Sequence, residues 1–145
     1  MSERIPPGRR SDYRAFQTIT TRWMDNDTYG HVNNAVYFSY FDTSVTAYLI
    51  ASGFLKPTDG KVVGLVVETG CRYFASLSFP DIITGGVRVA KRGTSSIRYE
   101  VGLFRNDEDT ASAEGHFVHV YVDRATNRPV PLPPDLVNAL EPLLV

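Results

Sequence analysis

The chain has 145 residues, of which 43% are hydrophobic and 21% charged, a composition typical of a globular protein and not of a disordered or fibrous one. Its 15 basic and 16 acidic residues leave a formal net charge of −1, so no overall field favours nucleic acid or a membrane surface. Cys71 is the only cysteine and cannot form an intrachain disulfide. No run of about 18 apolar residues occurs. We therefore expect a cytoplasmic protein with one core and neither nucleic acid nor membrane as a partner.

The first part of the chain divides into an arm and a strand. Residues 1–12 carry proline and charge without periodicity, which predicts a flexible arm ahead of a single domain over 13–145. From Tyr13 to Trp23, β-branched and aromatic side chains alternate with polar ones. This alternation predicts a β-strand.

Residues 33–52 contain neither glycine nor proline, and their apolar side chains occupy nearly the whole circumference of a helix. A helix that is apolar all round is enclosed by the rest of the protein. Asn33 or Asn34 suits the N-cap position, and Gly53 suits the position just after the last turn. The sequence therefore predicts one long, buried helix.

The rest of the chain is strand-like. A turn region around Pro57 and Gly60 precedes four segments separated by short breakers, and a short closing helix follows at 134–144. Their spacing predicts an antiparallel meander that curls around the helix, an α+β arrangement. The four predicted strands are Val62 to Phe74, Asp81 to Arg92, Ser95 to Arg105 and Ala111 to Asp123.

The stretch from Asp25 to Asn34, DNDTYGHVNN, is where we expect the chemistry. It ends at the predicted helix, whose first N–H groups lack intrahelical acceptors and lie at the positive end of the helix dipole. Such N–H groups can hold a developing oxyanion while a nearby carboxylate attacks a carbonyl or activates water. A thioester is a suitable substrate for one carboxylate and these N–H groups, because a thiol with a pKa of about 8.5 can leave without a strong general acid.

Several residues of this stretch have alternative roles. Asp27 either acts as the carboxylate or forms and caps a turn, and Asp25 suits a cap or an ion pair. His31 polarises the thioester, orients Asp27 or holds the loop by backbone hydrogen bonds. Asn33 and Asn34 contribute chiefly their backbone N–H groups.

The pattern W-x-D-x-D-x-x-G-H-V-N-N from Trp23 to Asn34 resembles the signature of hotdog-fold acyl thioesterases, in the subgroup of 4-hydroxybenzoyl-CoA thioesterase and its acyl-CoA and acyl-ACP relatives. The similarity covers about residues 13–134 and includes Tyr37, the pair Phe41-Asp42, and the closing segment 122–133. It implies a hotdog fold, a curled antiparallel sheet wrapped around one long central helix.

The resemblance also implies functional roles. Asp27 is then the catalytic carboxylate, the backbone N–H of Asn34 is the oxyanion contact, and His31 and Asn33 shape the site. The substrate is a fatty or aromatic acyl thioester of CoA or ACP, hydrolysed without a cofactor or metal. The protein is expected to form homodimers or homotetramers with active sites at the subunit interface.

Coenzyme A carries phosphates, so a local basic site is expected. The segment from Lys91 to Ser96 supplies two cations, hydroxyl groups and turn N–H groups at the junction of two strands, with Arg88 and Arg98 nearby. It resembles the nucleotide-contacting region of the family. The predicted substrate-binding residues are Asn33, Lys91, Arg92, Thr94, Ser95 and Ser96.

Two rival carboxylates and two rival functions stay open. Asp42, on the predicted helix, needs either a partner such as Arg72 or Lys91 or a raised pKa, and Glu68 lies on a predicted strand. Cys71 is expected to be a small core residue. The alternatives to hydrolysis are binding of acyl-CoA or acyl-ACP without turnover, and hydration of an enoyl-CoA.

Overall fold

The computed structural model describes residues 5–54 and 60–145, so the predicted turn at Pro57 and the start of the arm lie outside the described residues. Within them, every predicted helix and strand is confirmed, with narrower limits at most ends. The strands are shorter than predicted because the residues that flank them form turns and caps. The elements are β1 (Ala15–Thr20), α1 (Val36–Ala51), β2 (Val62–Tyr73), β3 (Ile82–Arg92), β4 (Ser96–Arg105), β5 (Ala113–Asp123) and α2 (Pro134–Leu140).

The five strands form one antiparallel sheet in the order β1-β3-β4-β5-β2. The α+β prediction, a curled antiparallel sheet packed against one long helix, is confirmed. The prediction of a simple four-strand meander is wrong for β2, which pairs with β5 instead of β3. Residues 74–81 join β2 to β3 as a crossing connection and not as a tight turn, and this connection becomes one wall of the candidate site.

Helix α1 packs on the concave face of the sheet. Phe41 is fully buried, and a Cβ placed on Gly115 of β5 would run into its ring, so this glycine lets helix and sheet approach closely. Gly53, at φ +82°, follows the last turn as predicted. The expectation of a helix enclosed on all sides is wrong for the single chain, because Asp42, Thr43 and Ile50 are exposed.

Strand β2 is an edge of the sheet and extends beyond the cover of α1. Three consecutive apolar side chains on it, Leu65, Val66 and Val67, are 44%, 50% and 60% exposed. A long apolar edge strand with unpaired backbone groups is a template for pairing with another strand. Residues 5–54 and 60–145 therefore leave this edge and the exposed positions of α1 uncovered.

The convex face of the sheet carries the described part of the arm and a ladder of charged side chains. Gly8 N–H donates to the Glu114 carboxylate at 2.9 Å, and the Tyr13 hydroxyl donates to the same carboxylate. A cavity of about 450 Å³ lies there. Among the described residues, no helix is both long and apolar enough to cross a membrane.

Candidate active site

Asp25 lies beneath the loop of the site and is only 1% exposed. Its carboxylate accepts hydrogen bonds from the Arg22 backbone at 2.9 Å, from the Arg22 guanidinium at 2.9 and 3.1 Å, and from the Tyr40 hydroxyl at 2.7 Å. The first of these bonds caps the 3₁₀ turn Trp23–Asp25. The predicted structural role of Asp25, as a cap and ion-pair partner, is therefore confirmed, although the carboxylate is buried.

These hydrogen bonds also fix the charge of Asp25. Burial raises the pKa of a carboxyl, but here the hydrogen bonds from Tyr40 and Arg22 outweigh burial and hold the pKa of Asp25 below its usual value. The backbone carbonyl of Asp25 accepts the N–H of Asn33 at 2.9 Å. A buried residue whose charged form is favoured thus ties the start of the loop to its end.

The loop between them is held to the connection that follows β2. Val32 N–H donates to the Leu77 carbonyl at 2.7 Å, the Ser78 hydroxyl donates to the Gly30 carbonyl at 2.8 Å, and Phe79 N–H donates to the Asn26 side chain at 3.0 Å. These long-range bonds fix the loop on a rigid part of the fold.

Asp27 occupies the first position of a turn that ends at Gly30, whose φ of +78° is easily adopted only by glycine. Its Oδ1 accepts the N–H of Tyr29 at 2.8 Å and that of His31 at 3.4 Å. Its Oδ2 makes no hydrogen bond with any residue in the described ranges. The half-buried carboxylate therefore builds its own turn with one oxygen and keeps the other available.

The start of α1 lies next to this turn. The helix begins at Val36 with Ala35 in the N-cap position, so the prediction of Asn33 or Asn34 as the N-cap is wrong. Asn33 instead closes the turn ahead of the helix, where its side-chain oxygen accepts Ala35 N–H at 2.9 Å and its carbonyl accepts Val36 N–H at 2.9 Å. The N–H of Asn34 finds no acceptor in residues 5–54 or 60–145. This is the N–H group predicted as the oxyanion contact.

Asp27 and Asn34 line one pocket of about 330 Å³. The Tyr73 hydroxyl donates to the Asn34 carbonyl at 2.8 Å, and the Tyr73 and Tyr37 rings pack edge to face with centroids 4.8 Å apart. Burial raises the pKa of Tyr73 to about 12, so its hydroxyl stays protonated. The lining residues are Asp27, His31, Val32, Asn34, Tyr37, Tyr73, Phe74, Ala75 and Ser76.

The segment from Tyr73 to Ser76 forms one wall of the pocket, and the sequence did not predict this. Its only signal in the sequence is the position of Tyr73 and Phe74 at the end of a strand that leads into a long connection. Which loop this connection faces depends on β2 pairing with β5, and that pairing was predicted wrongly.

His31 lines the pocket with an exposed side chain. Its backbone makes two contacts with Asp27, since His31 N–H reaches Oδ1 and the His31 carbonyl accepts Asp27 N–H at 2.8 Å. Its backbone therefore holds the turn, and its ring lies beside the carboxylate's pocket.

The predicted basic segment lies far from this pocket in the same chain. The pocket is at the Ile82 end of β3, whereas Lys91 and Arg92 lie at the other end, roughly 30 Å away at about 3.3 Å per residue. Arg92 pairs with Glu141 at 3.2 Å, while Thr94, Ser95 and Ser96 use their backbone carbonyls to hold neighbouring segments. One chain does not bring this hairpin to Asp27.

Arg88 and Arg98, beside the hairpin in sequence, are occupied on the convex face. Both guanidinium groups pair with the carboxylate of Glu100, at 2.9 and 3.1 Å. Lys91 forms no ion pair among residues 5–54 and 60–145, so it differs from Arg88, Arg92 and Arg98 in this respect.

The rival carboxylates lie elsewhere. Asp42 is exposed on α1 and forms no ion pair within the described part of the chain, so the expected partnership with Arg72 or Lys91 is wrong, and exposure removes the need for it. Glu68 lies on the convex face and pairs with His116 at 2.9 Å. Burial raises the pKa of Cys71 to about 11, in agreement with a packing role.

The fold and the pocket together define a hotdog-fold protein whose loop and helix start form a carboxylate and N–H site. The profile of the thioesterase-like superfamily matches residues 21–140. The chain belongs to that superfamily.

Three solved structures place this membership in context. The chain is 50% identical to the PA5185 protein of Pseudomonas aeruginosa, with a TM-score of 0.93, covering 96% of this chain and 97% of that one. It is 30% identical to a Thermus thermophilus thioesterase complexed with coenzyme A and Zn, with a TM-score of 0.75 and coverage of 90% and 95%. A DHNA-CoA thioesterase from Staphylococcus aureus, 18% identical with a TM-score of 0.78 and coverage of 86% and 87%, shares the fold. The comparison with curated proteins found no match.

Proposed function

We propose that this protein is an acyl-CoA thioesterase of the 4-hydroxybenzoyl-CoA thioesterase-like subgroup, which hydrolyses a fatty or aromatic acyl thioester to the free acid and CoA. Membership of the thioesterase-like superfamily supports the reaction class. The coenzyme A complex of the T. thermophilus thioesterase supports CoA over ACP as the carrier.

The observation that carries this proposal is the shared pocket of Asp27 and Asn34. Asp27, whose Oδ2 has no hydrogen-bond partner among the described residues, and Asn34, whose N–H has no acceptor among them, line one pocket beside the start of a 16-residue helix. A thioester carbonyl between them meets a positive helix end on one side and a base or nucleophile on the other.

The reaction follows from these two groups. Asp27 removes a proton from a water molecule, whose oxygen attacks the thioester carbon, and the carbonyl oxygen becomes an oxyanion held by Asn34 N–H. When the intermediate collapses, the C–S bond breaks and the thiolate leaves with the electron pair, then takes a proton from solvent, while Asp27 returns its proton to solvent and becomes a carboxylate again. The same geometry allows the Asp27 carboxylate to attack directly, giving a mixed anhydride that water then hydrolyses.

Replacement of the carboxylate tests the assignment. Asp27→Asn keeps an oxygen that can accept the turn N–H groups of Tyr29 and His31 but removes the base, so kcat should fall by about 10²- to 10⁴-fold. The measurement is thiol release from a panel of acyl-CoA substrates. Glu68→Gln, the same chemical change on the convex face, is the matched control and should retain wild-type turnover.

Unchanged turnover in Asp27→Asn would refute the role of Asp27. If Asp42→Asn then abolished hydrolysis, the catalytic carboxylate would be the one on the helix. Tight acyl-CoA binding with no thiol release by the wild type would favour a binding protein, and loss of the enoyl absorbance without thiol release would favour a hydratase.

The uncovered β2 edge supports a homodimer in which two copies pair through this strand. Exposed Leu65, Val66 and Val67 supply the apolar surface, and the unpaired backbone of β2 supplies the hydrogen bonds. Antiparallel pairing of two identical strands around a twofold axis puts the first residues of one β2 beside the last residues of the other.

This pairing brings the basic hairpin of one copy near the pocket of the other copy. Ser95 accepts the N–H of Tyr121, which lies opposite Gly64 near the start of β2, so the hairpin sits at that end of the strand. In the dimer, the start of one β2 neighbours Tyr73 of the other copy, and the hairpin follows about three strand spacings, or roughly 15 Å, away. Lys91 and Arg92 then face the phosphates of a coenzyme A held in the other copy's pocket.

Mixing two inactive variants tests this arrangement. One variant carries Asp27→Asn, and the other carries Lys91→Glu and Arg92→Gln. A mixed dimer has one complete site, formed by Asp27 from one copy and the hairpin from the other, so mixing after subunit exchange should restore up to half of the activity per mixed dimer. No recovery in verified mixed dimers would assign the hairpin to its own chain's site, and full activity of the hairpin variant by itself would assign the hairpin to no site.

A further inference from the structure

A strip of surface between α1 and β2 continues from the candidate pocket. Tyr37 packs against Tyr73 at the pocket, and Phe38 and Asp42 follow along the same side of the helix. On β2, the side chains that point to the helix side include Thr69 and Val66, since they lie opposite inward-facing residues of β5. The strip leads from the proposed carbonyl site along the concave face.

Beneath this strip, His119 of β5 lies opposite Val66 and faces the helix side of the sheet. The side chain is 8% exposed, and its Nε2 is buried without a hydrogen-bond partner, the one such side-chain atom within residues 5–54 and 60–145. The nearby hydroxyl groups of Tyr99 and Tyr121 satisfy each other at 2.6 Å. Tyr99 and Tyr121 therefore supply no hydrogen bond to the Nε2 of His119.

An unused buried nitrogen is unfavourable, because it has lost water without gaining a partner. Burial lowers the pKa of His119, and the nearby Asp42 carboxylate opposes this effect without cancelling it. The imidazole is thus neutral at pH 7, with one ring nitrogen as a donor and the other as an acceptor. Asp42 adds an exposed acceptor at the side of the strip.

The positions of Asp42 and His119 set a range of lengths. Eight residues separate Asp42 from Asn34, which corresponds to about 12 Å at 1.5 Å per helical residue. His119 lies six residues along β5 from Ala113, the partner of Tyr73, which corresponds to about 20 Å at 3.3 Å per residue. A group that both donates and accepts a hydrogen bond fits a neutral imidazole beside a carboxylate. A hydroxyl group does this without bringing a charge into an apolar environment.

We propose that His119, together with Asp42, recognises a hydroxyl group on the acyl chain about 12 to 20 Å from the thioester carbonyl, so that hydroxylated acyl-CoA thioesters are the preferred substrate class. This inference rests on the proposed thioesterase function. It makes His119 a specificity-determining residue and assigns it no part in the bond-breaking step.

The test compares acyl-CoA thioesters of increasing chain length, each with and without a terminal hydroxyl. For the wild type, the ratio of kcat/KM between the hydroxylated and plain substrates should peak at one chain length, by about tenfold or more. His119→Phe keeps an aromatic ring among Tyr99, Phe117 and Tyr121 but removes both nitrogens. It should abolish the peak, and His119→Gln, which keeps hydrogen-bonding atoms, should restore part of it.

The outcomes are separable from those for the main proposal. If no thioester is hydrolysed, the thioesterase proposal fails. If plain substrates are hydrolysed but the wild type shows no peak, or His119→Phe keeps it, only the specificity inference is overturned. Should His119→Phe not fold, Asp42→Asn, at an exposed position, carries the test: a peak lowered at least threefold supports the inference, and an unchanged peak overturns it.

Discussion

The hydrogen bond between Tyr40 and Asp25 provides a test of how the loop is held. Tyr40→Phe removes only a hydroxyl from a residue that is 4% exposed, so the ring can keep its packing. What is lost is one donor to a buried carboxylate whose remaining donors belong to Arg22. The change therefore isolates one contact beneath the candidate site.

The magnitude follows from the charge of the acceptor. A hydrogen bond to a charged group contributes about 1.5 to 3 kcal/mol, and a buried carboxylate cannot replace it with water at no cost. We expect the free energy of unfolding to fall by about 2 kcal/mol. For a chain of this length that corresponds to a decrease of roughly 6 °C in Tm.

Urea unfolding of wild type and Tyr40→Phe at one protein concentration measures the difference, with the m-value as a check on two-state behaviour. Tyr48→Phe is the matched control, because the Tyr48 hydroxyl donates to a neutral backbone carbonyl, that of Ala139, and should cost about 1 kcal/mol or less. Equal losses in the two variants would refute the view that Asp25 is a charged anchor.

The pH dependence gives an independent check. Because the pKa of Asp25 is lower in the folded than in the unfolded state, its contribution to stability is complete above the unfolded value and is lost as pH falls through the folded value. Tyr40→Phe raises the folded pKa of Asp25. The stability difference between wild type and variant should therefore be largest near pH 7 and shrink below about pH 4. A difference independent of pH would contradict this account.

Three further predictions concern packing, reactivity and assembly. Gly115→Ala should destabilise the protein by about 1 to 3 kcal/mol in chemical unfolding, because its Cβ would meet the Phe41 ring and lie 2.9 Å from the Gly70 carbonyl oxygen; an unchanged midpoint would refute the close packing. Cys71, with a pKa of about 11 against an ordinary 9.0, should react with a thiol reagent about 100-fold more slowly in the folded than in the unfolded protein, and equal rates would contradict its burial. Replacing Leu65 and Val67 by Lys should yield monomers in light scattering and lower turnover, whereas an unchanged molar mass would exclude β2 as the interface.

The local elements could be predicted because each has a local cause. Gly53 ends α1 in the expected place, and alternation located every strand to within a few residues. The order of the strands could not be predicted from alternation. An edge strand that a second chain covers can be apolar on both faces, so its sequence resembles that of a strand inside the sheet. The predicted full enclosure of α1 has the same origin, because Ile50 is apolar although the single chain leaves it 51% exposed.

The candidate site was predictable to the extent that it is contained in one stretch of sequence. Asp27, His31 and Asn34 line one pocket because a turn and a helix start fix them within eight residues. Tyr73 could not be included, because its place depends on the pairing of β2 with β5. His119 gave no signal either, since a histidine among aromatic strand residues looks like packing until its unpartnered Nε2 is seen.

The two aspartates of the loop show why their spacing matters. Asp25 is turned inward and saturated with hydrogen bonds, so its charge is stabilised and chemically inert. Asp27, two residues later, uses one carboxylate oxygen to accept a hydrogen bond within the turn that Gly30 closes. Its other oxygen remains available at the pocket that Asp27 lines. A base that had to hold the loop with both oxygens would have no lone pair for water. Division of the structural and chemical tasks between two carboxylates removes that conflict, and it predicts that Asp25→Asn lowers stability first and activity only through the position of Asp27.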